Sequence, residues 1–271
     1  MEAIVQAILN KSKLEVPHIK ITEPSQKLVT QPAGPAKCNA ATDPFCPSRN
    51  FVMEIQSRVI GTGPVGATMT PMTVDLVGPG GSFGKLDLPE VKTSTKRADV
   101  HVVPQKIAIT DFDAFLAFVR SITQDEQLTL MLDNGKGKIK ALGMNANITY
   151  RKSILLPGMN GPKARIVKVE GSKDECKILL QVFNPSPLEI DLGTAIYEIQ
   201  APDGTKMAEV RGGQHVIRGD NVHELSCSVT GAPQAGAAKL VGIGAAEDSW
   251  TNESNKFLNM DVRVPPEMAA L

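Results

Sequence analysis

Gly63-Pro64-Val65-Gly66-Ala67-Thr68-Met69 begins a stretch that returns, 123 positions on from 63 to 186, as Ser186-Pro187-Leu188-Glu189-Ile190-Asp191-Leu192. In each copy an apolar segment and a turn follow, the turn being Pro79-Gly80-Gly81 in the first copy and Pro202-Asp203-Gly204 in the second. This period is longer than the roughly 20–50 residues of stacked repeats. We therefore interpret the pattern as a duplication that gives two tandem domains, rather than as a chance likeness of two β-rich stretches.

The boundary between the two predicted domains falls in the turn-rich segment Leu156-Pro157-Gly158-Met159-Asn160-Gly161-Pro162. This gives a first domain at 1–156 and a second at 157–271. Within the first domain, residues 25–50 are rich in Pro and Gly and have no apolar period, so a long loop is predicted there.

Much of the chain has the two-residue apolar period of half-buried strands. The period is seen from Phe51 to Val59, from Cys176 to Val182 and from Leu225 to Val229. Short strands separated by Gly/Pro turns are typical of antiparallel sandwiches. The sequence therefore predicts a mainly β protein of two tandem antiparallel β-sandwiches.

A tight hairpin is predicted in the first domain. Leu128, Leu130 and Leu132 alternate with other residues and are followed by Asp133-Asn134-Gly135. Since Asn-Gly is a preferred two-residue hairpin turn, the return strand is expected from Ile139 to Met144.

One amphipathic helix is predicted at about 111–122. Thr110 or Asp111 can cap its N-terminus, and apolar residues recur at helical spacing through the segment. We interpret this apolar stripe as packing on a sheet rather than as a groove for a partner. A shorter helix is expected at the start of the chain, over Ile4–Leu9.

Composition excludes several classes of function. The 271 residues include 29 basic and 29 acidic side chains, and this balance argues against a nucleic-acid-binding protein. Aromatic residues make up only 4% of the chain, which leaves few side chains on which the bases of single-stranded nucleic acid could stack. No run of about 18 apolar residues occurs, so no transmembrane segment is expected in this chain. The first residues also lack the form of a signal peptide.

Two glycine-rich motifs resemble cofactor loops but fail on their context. Gly61-Thr62-Gly63-Pro64-Val65-Gly66 has dinucleotide-loop spacing, yet Pro71 and several threonines follow where a helix is required. The segment from Gly78 to Leu86 resembles a phosphate loop, but Pro79 replaces the first glycine and Leu86 the Mg²⁺-binding hydroxyl. The first motif is therefore predicted to be a strand-to-strand turn and the second a loop, with no cofactor bound.

No metal site or catalytic centre is predicted. The histidines include no helical i,i+4 pair and have no Cys-x-x-Cys nearby; they are His18, His101, His215 and His223. Neither Gly-x-Ser-x-Gly nor a local cysteine-protease signature occurs. We therefore expect no catalytic residue, no metal ligand and no enzyme activity.

The four cysteines are candidates for two disulfides. Cys38 and Cys46 flank a short loop, and Cys176 and Cys227 lie on the apolar faces of two predicted strands in one domain. The pairs Cys38–Cys46 and Cys176–Cys227 are favoured, with buried free thiols as the alternative. Disulfides would imply an oxidising compartment.

Three Asn-x-Ser/Thr sequons are candidate glycosylation sites, at Asn10, Asn147 and Asn252. The pattern is common by chance, so each site is a weak prediction by itself.

Several short motifs resemble known families. Asn184-Pro185-Ser186-Pro187-Leu188-Glu189-Ile190-Asp191-Leu192-Gly193 resembles the late-embryogenesis-abundant type 2 (water-stress and hypersensitive-response) domains, in which an Asn-Pro turn precedes such a strand. The first domain is similar to a fungal family of unknown function built on the same plan. Its matching segments are Lys11-Ser12-Lys13-Leu14-Glu15-Val16, Gly63-Pro64-Val65-Gly66-Ala67, Ile109-Thr110-Asp111-Phe112-Asp113-Ala114-Phe115 and Leu155-Leu156-Pro157-Gly158-Met159-Asn160-Gly161.

The resemblance implies tandem Greek-key β-sandwiches in a fungal protein, with no known catalytic residues to carry over. Relatives usually have one N-terminal transmembrane helix and expose the tandem to the vacuolar lumen or the cell exterior. This chain departs from that pattern in lacking such a helix, and its Ala3–Ile8 segment resembles the stretch that follows the helix in the relatives. A truncated chain or an internal start is therefore indicated. The loop with Cys38 and Cys46 also looks like an insertion.

The expected function is a non-catalytic binding or structural module on the luminal or outer face of a fungal membrane, with an unidentified protein or lipid partner. An apolar cleft between the sheets of a sandwich can bind acyl chains, and the ten methionines suit adaptable surfaces. One alternative is a soluble, cytosolic stress-protective protein with reduced cysteines and no glycans. A second is an unrecognised hydrolase with a cleft of convergent acids.

Overall fold

The computed structural model describes residues 2–22, 49–61, 66–93 and 97–271. These residues form four helices and sixteen strands. In chain order the elements are α1 (Glu2–Lys11), β1 (Lys13–Thr22), β2 (Asn50–Ile60), β3 (Ala67–Met69), β4 (Met72–Gly78), β5 (Gly81–Leu88), β6 (Val91–Thr93), β7 (Arg97–Ala108), α2 (Phe112–Gln124), β8 (Gln127–Ala141), β9 (Met144–Pro157), β10 (Lys163–Gly171), β11 (Cys176–Asn184), β12 (Leu188–Gln200), β13 (Lys206–Val216), β14 (Gly219–Val229), β15 (Gly236–Ala245), α3 (Trp250–Asn255), β16 (Asn259–Val264) and α4 (Pro266–Ala269).

The strands form two sheets in which most neighbours run antiparallel. The ten-stranded sheet has the order β10-β11-β14-β13-β12-β1-β2-β7, with β15 beside β12 and β16 beside β15. The six-stranded sheet has the order β5-β4-β8-β3-β6, with β9 on β8. The predicted mainly β, sandwich-like fold class is confirmed. The predicted loop at 25–50 lies almost wholly outside the described residues.

One parallel pairing joins the first half of the chain, before residue 157, to the second half. β1 runs parallel to β12, with Ile19 opposite Leu188 and Ile21 opposite Ile190. The ten-stranded sheet therefore contains strands from both halves, and we call this β1–β12 contact the seam. The division into domains at 156/157 stays a prediction.

From Gly66 on, the first copy of the repeated stretch has a local structure similar to that of the second copy. In the first copy, Thr70 and Pro71 separate β3 from β4. In the second copy the equivalent residues, Gly193 and Thr194, lie at an irregularity within the single strand β12. Each copy then enters a hairpin, β4–β5 in the first and β12–β13 in the second.

The Asn-Gly hairpin predicted at 133–135 is wrong. β8 runs on through this segment to Ala141, and its register against β9 shifts there, which marks a β-bulge. Asn134 does adopt the positive φ of a turn residue, 58°. However, the Asp133 carboxylate is held by the Arg151 guanidinium of β9, with Nε to Oδ1 at 2.6 Å, so the two strands stay paired across the bulge.

The β8–β9 hairpin turns instead at Leu142 and Gly143. Their φ values are 51° and 74°, and a type I′ turn requires positive φ at both central residues. The return strand β9 therefore begins at Met144, whereas Ile139 still belongs to the outgoing strand. Sequence alone misplaced this turn because Leu-Gly is a much weaker hairpin signal than Asn-Gly.

Both predicted helices are confirmed. The predicted helix at 111–122 is α2, and Asp111 rather than Thr110 caps it by accepting a 2.9 Å hydrogen bond from the Ala114 N–H. The N-terminal helix is α1.

The β4–β5 turn lies so close to α2 that a Cβ on Gly80 would be 2.8 Å from the Ala117 Cβ, so glycine is needed there for close approach. The segment 78–86 is thus a hairpin, while residues 62–65 of the other glycine motif lie outside the described residues.

An aromatic cluster fills one end of the first half. Phe115 of α2 stacks on Phe51 of β2 with ring centroids 4.7 Å apart, and Phe118 stacks on Phe83 at 4.8 Å. Trp250 of α3 meets Phe115 edge-on at 5.3 Å. All five rings are fully buried, so the cluster both closes this end of the sandwich and packs the two halves together.

A charged network bridges the seam. Glu189 of β12 accepts hydrogen bonds from His18 Nε2 of β1 at 2.8 Å, from His215 Nε2 of β13 at 2.5 Å, and from Lys20 Nζ of β1. Burial alone would raise the pKa of the Glu189 carboxyl, but these three hydrogen bonds outweigh burial and lower the pKa to about 2. The network therefore stabilises the seam in the ionised form of Glu189.

Replacing Glu189→Gln tests the network. We expect the free energy of unfolding at pH 7 to fall by about 2 kcal/mol. This value is reduced for solvent screening, because the side chains of His18, Lys20 and His215 are partly exposed. Because the folded pKa, about 2, lies below the usual value of 4.5, the stabilisation is present above pH 4.5 and is lost as the pH falls towards 2. Urea unfolding across this range should show the two proteins converging.

The matched control is Glu224→Gln, which removes an exposed ion pair with Lys177. It should change the free energy of unfolding by less than about 0.5 kcal/mol. A difference between wild type and Glu189→Gln that stays constant down to pH 2 would contradict the assignment.

Candidate functional site

An apolar cavity of about 460 Å³ lies between the two sheets of the first half, at the end away from the aromatic cluster. One wall is formed by β1, β2 and β7, and the other mainly by β3, β6, β8 and β9, with α1 along its side. Ile55, Val102 and Leu132 are wall residues that are almost fully buried. The cavity is therefore part of the space between the sheets rather than a surface groove.

The sequence explains why this end is not filled. The walls carry mainly valine, isoleucine, leucine and alanine side chains, and Tyr150 is the one aromatic residue among the lining residues. Facing sheets pack about 10 Å apart, and protein interiors are normally close-packed. Short side chains facing each other across that distance leave a void, whereas the phenylalanines at the other end do not.

The cavity opens to solvent through a ring of apolar side chains. Ile4 and Ile8 of α1 and Leu142 and Met144 of the β8–β9 hairpin all line the cavity. They are nevertheless 67%, 37%, 73% and 44% exposed, respectively. We call these four residues the mouth. Exposed apolar side chains that are grouped in this way mark binding surfaces more often than isolated ones do.

Side-chain hydrogen bonds hold α1 along β9, an edge strand of the six-stranded sheet. The Gln6 amide both donates to the Thr149 carbonyl oxygen at 2.9 Å and accepts from the Thr149 N–H at 3.0 Å. The Glu2 carboxylate accepts from the backbone N–H and the side-chain amide of Asn147 at 3.2 and 2.9 Å. α1 thereby pairs edge groups that would otherwise attract another strand.

Lys152 secures the C-terminal end of α1 from inside the cavity. Its ammonium group is buried and donates to the carbonyl oxygens of Leu9 and of Ser12, the second at 2.6 Å. A cation is favourable at the C-terminal end of a helix, where carbonyl groups lack partners. Burial lowers the pKa of Lys152. The three contacts of β9 thus fix both ends and the middle of α1.

Other polar groups on the cavity wall are occupied by main-chain atoms. Ser12, Ser57 and Thr93 each donate to a carbonyl oxygen, at 2.7, 3.3 and 3.2 Å. The Tyr150 hydroxyl forms no hydrogen bond within the part of the chain that the structure describes, and burial raises the pKa of Tyr150 to about 12. It therefore stays protonated at neutral pH.

Two of the four candidate disulfide cysteines lie within the described residues. Cys176 and Cys227 are buried free thiols directly opposite each other on β11 and β14. Burial, reinforced by the neighbouring Cys176, raises the pKa of Cys227, so this thiol stays protonated. Cys38 and Cys46 lie outside the described residues. The Cys38–Cys46 disulfide stays a prediction, and the favoured Cys176–Cys227 disulfide is not formed in this structure, in which both thiols are free.

The three sequon asparagines lie in helices or strands. Asn10 is exposed on α1, and Asn147 is exposed on β9 with its amide bonded to Glu2. Asn252 is half-buried in α3, and its side-chain oxygen accepts from the Ala245 N–H at 3.1 Å. Glycosylation at all three sites stays a prediction.

Two of the histidines come together at Glu189 on the seam, which sequence spacing did not reveal because they lie on different strands. His101 separately contacts Glu54, with Nε2 to Oε1 at 2.7 Å, and His223 is half-buried on β14. Among residues 2–22, 49–61, 66–93 and 97–271, no group of three or more His, Cys, Asp or Glu side chains is arranged to hold a metal ion. Over the same ranges, the helices are too short or too polar to cross a bilayer.

Residues 81–199 match the family model described as "Protein of unknown function (DUF3712)". The chain therefore carries a domain of unknown function over these residues, which run from the start of β5 almost to the end of β12 and cross the predicted boundary at 156/157. No curated protein sequence matches the chain.

Several solved structures match the chain with low similarity. The YadV chaperone is 10% identical with a TM-score of 0.22, over 93% of this chain and 99% of that one. Red sea bream transglutaminase is 13% identical with a TM-score of 0.26, over 80% and 29%. A bacterial adhesin from Mobiluncus mulieris is 8% identical with a TM-score of 0.21, over 93% and 97%. Likenesses this weak carry no argument about function.

Replacing Lys152→Met tests the anchoring of α1. The variant keeps a long apolar side chain but removes two hydrogen bonds to the helix end. We expect amide hydrogen exchange in α1 to become about tenfold faster, while exchange in the aromatic cluster stays unchanged. Lys163→Met, on an exposed position of β10, is the control. Unchanged protection of α1 in Lys152→Met would show that Lys152 does not hold the helix.

Proposed function

We propose that this chain is a non-catalytic binding module whose first half takes up the apolar chain of a lipid. The observation that carries the proposal is the cavity between the sheets, with its aliphatic walls and apolar mouth. Its volume of about 460 Å³ falls in the range of roughly 300–1,000 Å³ that is usual for small-molecule sites.

Burial of a hydrocarbon chain supplies the affinity in this proposal. Each methylene group moved from water into an apolar site contributes about 0.8 kcal/mol. The walls offer few competing polar groups, because the hydroxyls of Ser12, Ser57 and Thr93 and the Lys152 ammonium are already bonded to carbonyl oxygens. The Tyr150 hydroxyl is free to donate one hydrogen bond to a ligand oxygen.

The same wall chemistry favours binding over catalysis. A general acid or base must reach the reacting group in a suitable protonation state. The cavity instead presents aliphatic side chains, a protonated phenol and an ammonium group that is turned towards the end of α1. The placement of the module on the luminal or outer face of a fungal membrane stays a prediction from the resemblance, and the cavity proposal does not depend on it.

A chain-length series of fatty acids tests the proposal. Binding of octanoic, decanoic, dodecanoic and tetradecanoic acid is measured by calorimetry below their micelle concentrations. We expect affinity to rise about fourfold per added methylene, as 0.8 kcal/mol implies, until the cavity is full. The heat-capacity change on binding should be negative. Saturable binding that does not depend on chain length would contradict the proposal.

A matched pair of variants on β7 locates the binding site. Val100 lines the cavity, whereas Val103 on the same strand is 61% exposed and points away from it. Val100→Phe should occupy part of the cavity and weaken decanoic acid binding by about tenfold or more, while Val103→Phe should leave it unchanged. The affinities of the two variants are compared after their melting temperatures have been shown to be equal. Equal affinities would place the fatty acid elsewhere on the protein.

A further inference from the structure

The mouth combines exposed apolar side chains with an unusual backbone position at its tip. Among the described residues, three that are not glycine have positive φ: Asn134, Asn160 and Leu142. Asparagine tolerates this conformation, but leucine is disfavoured in it because of its Cβ. Leu142 is also 73% exposed, so its side chain gains little from packing within the protein. Both the backbone conformation and the solvent exposure of Leu142 are unfavourable. This combination indicates that the Leu142 side chain contacts something outside the chain.

A row of lysines leads to the same tip. Lys136, Lys138 and Lys140 are exposed and alternate along the outer face of β8. At about 3.3 Å per residue, their positions lie roughly 20, 13 and 7 Å from Leu142 along the strand. Lys92 of β6 is held by Glu90 at 3.3 Å. The three β8 lysines therefore place positive charge beside the apolar mouth, with the Glu2 carboxylate as the acidic group that lines the same groove as Lys136 and Lys138.

Helix α1 separates the apolar mouth from a polar groove on the outer face of the sheet. Ile4 and Ile8 belong to the mouth, while Gln6 lines the groove together with Lys136 and Lys138. An apolar edge that is flanked by lysines matches the interface of a membrane, where apolar side chains enter the acyl region and ammonium groups reach the head groups.

From this juxtaposition we infer that the mouth is a docking surface for an anionic lipid bilayer. Leu142, Met144, Ile4 and Ile8 insert into the outer acyl region, and Lys140 and Lys138 contact the negatively charged head groups. In this orientation the cavity opens directly into the bilayer, so an apolar chain can enter it without crossing water. That last step rests on the proposed function, whereas the docking does not.

Vesicle sedimentation tests the docking with the full chain. The vesicles consist of phosphatidylcholine alone or of phosphatidylcholine with added phosphatidylserine. We expect binding to the phosphatidylserine vesicles to be clearly tighter and to weaken with salt, because charges are screened over about 10 Å at 0.1 M. Failure to bind phosphatidylserine vesicles at low salt would overturn the inference.

The variant Leu142→Asn removes the apolar tip without harming the hairpin. Asn-Gly is a favoured type I′ turn, so thermal stability should be equal or higher while vesicle binding weakens about tenfold. The control is Leu155→Asn, which changes a 66% exposed leucine at the far end of β9. If Leu142→Asn and Leu155→Asn bind vesicles equally well, the mouth is not the docking surface.

Two of the lysines provide a graded test of orientation. Lys140→Gln should weaken binding to phosphatidylserine vesicles about fivefold, since a lysine at the membrane surface contributes about 1 kcal/mol. Lys136→Gln, farther from the tip, should change it less than twofold. An equal effect of both substitutions would contradict the orientation with the mouth towards the membrane.

Decanoic acid binding in solution separates this inference from the proposed function. Lys140→Gln should retain decanoic acid binding because Lys140 is not among the residues that line the cavity. Vesicle binding without decanoic acid binding would overturn the proposed function and leave the docking surface. Decanoic acid binding without vesicle binding would do the reverse.

Discussion

The separation of the two sheets in the first half is the constraint on which the site depends. Phenylalanine rings from both sheets and from α2 hold the sheets apart at one end and fill the space between them. Towards the other end the same sheets carry valine, isoleucine and alanine side chains that are too short to meet, and about 460 Å³ remains. The cavity is thus a result of where the aromatic residues lie along the strands.

The two ends of this sandwich are closed in different ways. α2 and Trp250 of the second half pack on the aromatic end, which ties the halves together beside the parallel β1–β12 seam. α1 covers the side of the open end through hydrogen bonds with the edge strand β9 and through Lys152. The two ends also differ in stability. The aromatic end is held by five buried rings, whereas α1 has polar contacts and one buried side chain, Leu9, so we expect α1 to open more easily.

The sequence predicted several of the strands, two of the four described helices (α1 and α2) and the sandwich-like class, because these follow from local apolar periods and caps. It misplaced the β8–β9 hairpin, since Asn134-Gly135 has turn chemistry but Asp133 and Arg151 keep the strands paired there. It also could not place strands of both halves in one sheet, because β1 and β12 are far apart in the sequence. An acyl-binding cleft was expected in general terms only, although the grouping of phenylalanines in strands and helix at one end was a usable signal.

Methyl NMR of the protein titrated with decanoic acid tests the central claim, that the first-half cavity takes up an apolar chain. We expect saturable shifts of the methyl groups of Ile55, Val102 and Leu132, which line the cavity, and none in Ile178 and Leu225, which are buried in the second half. Shifts confined to the second half, or to exposed methyl groups such as that of Val103, would contradict the account.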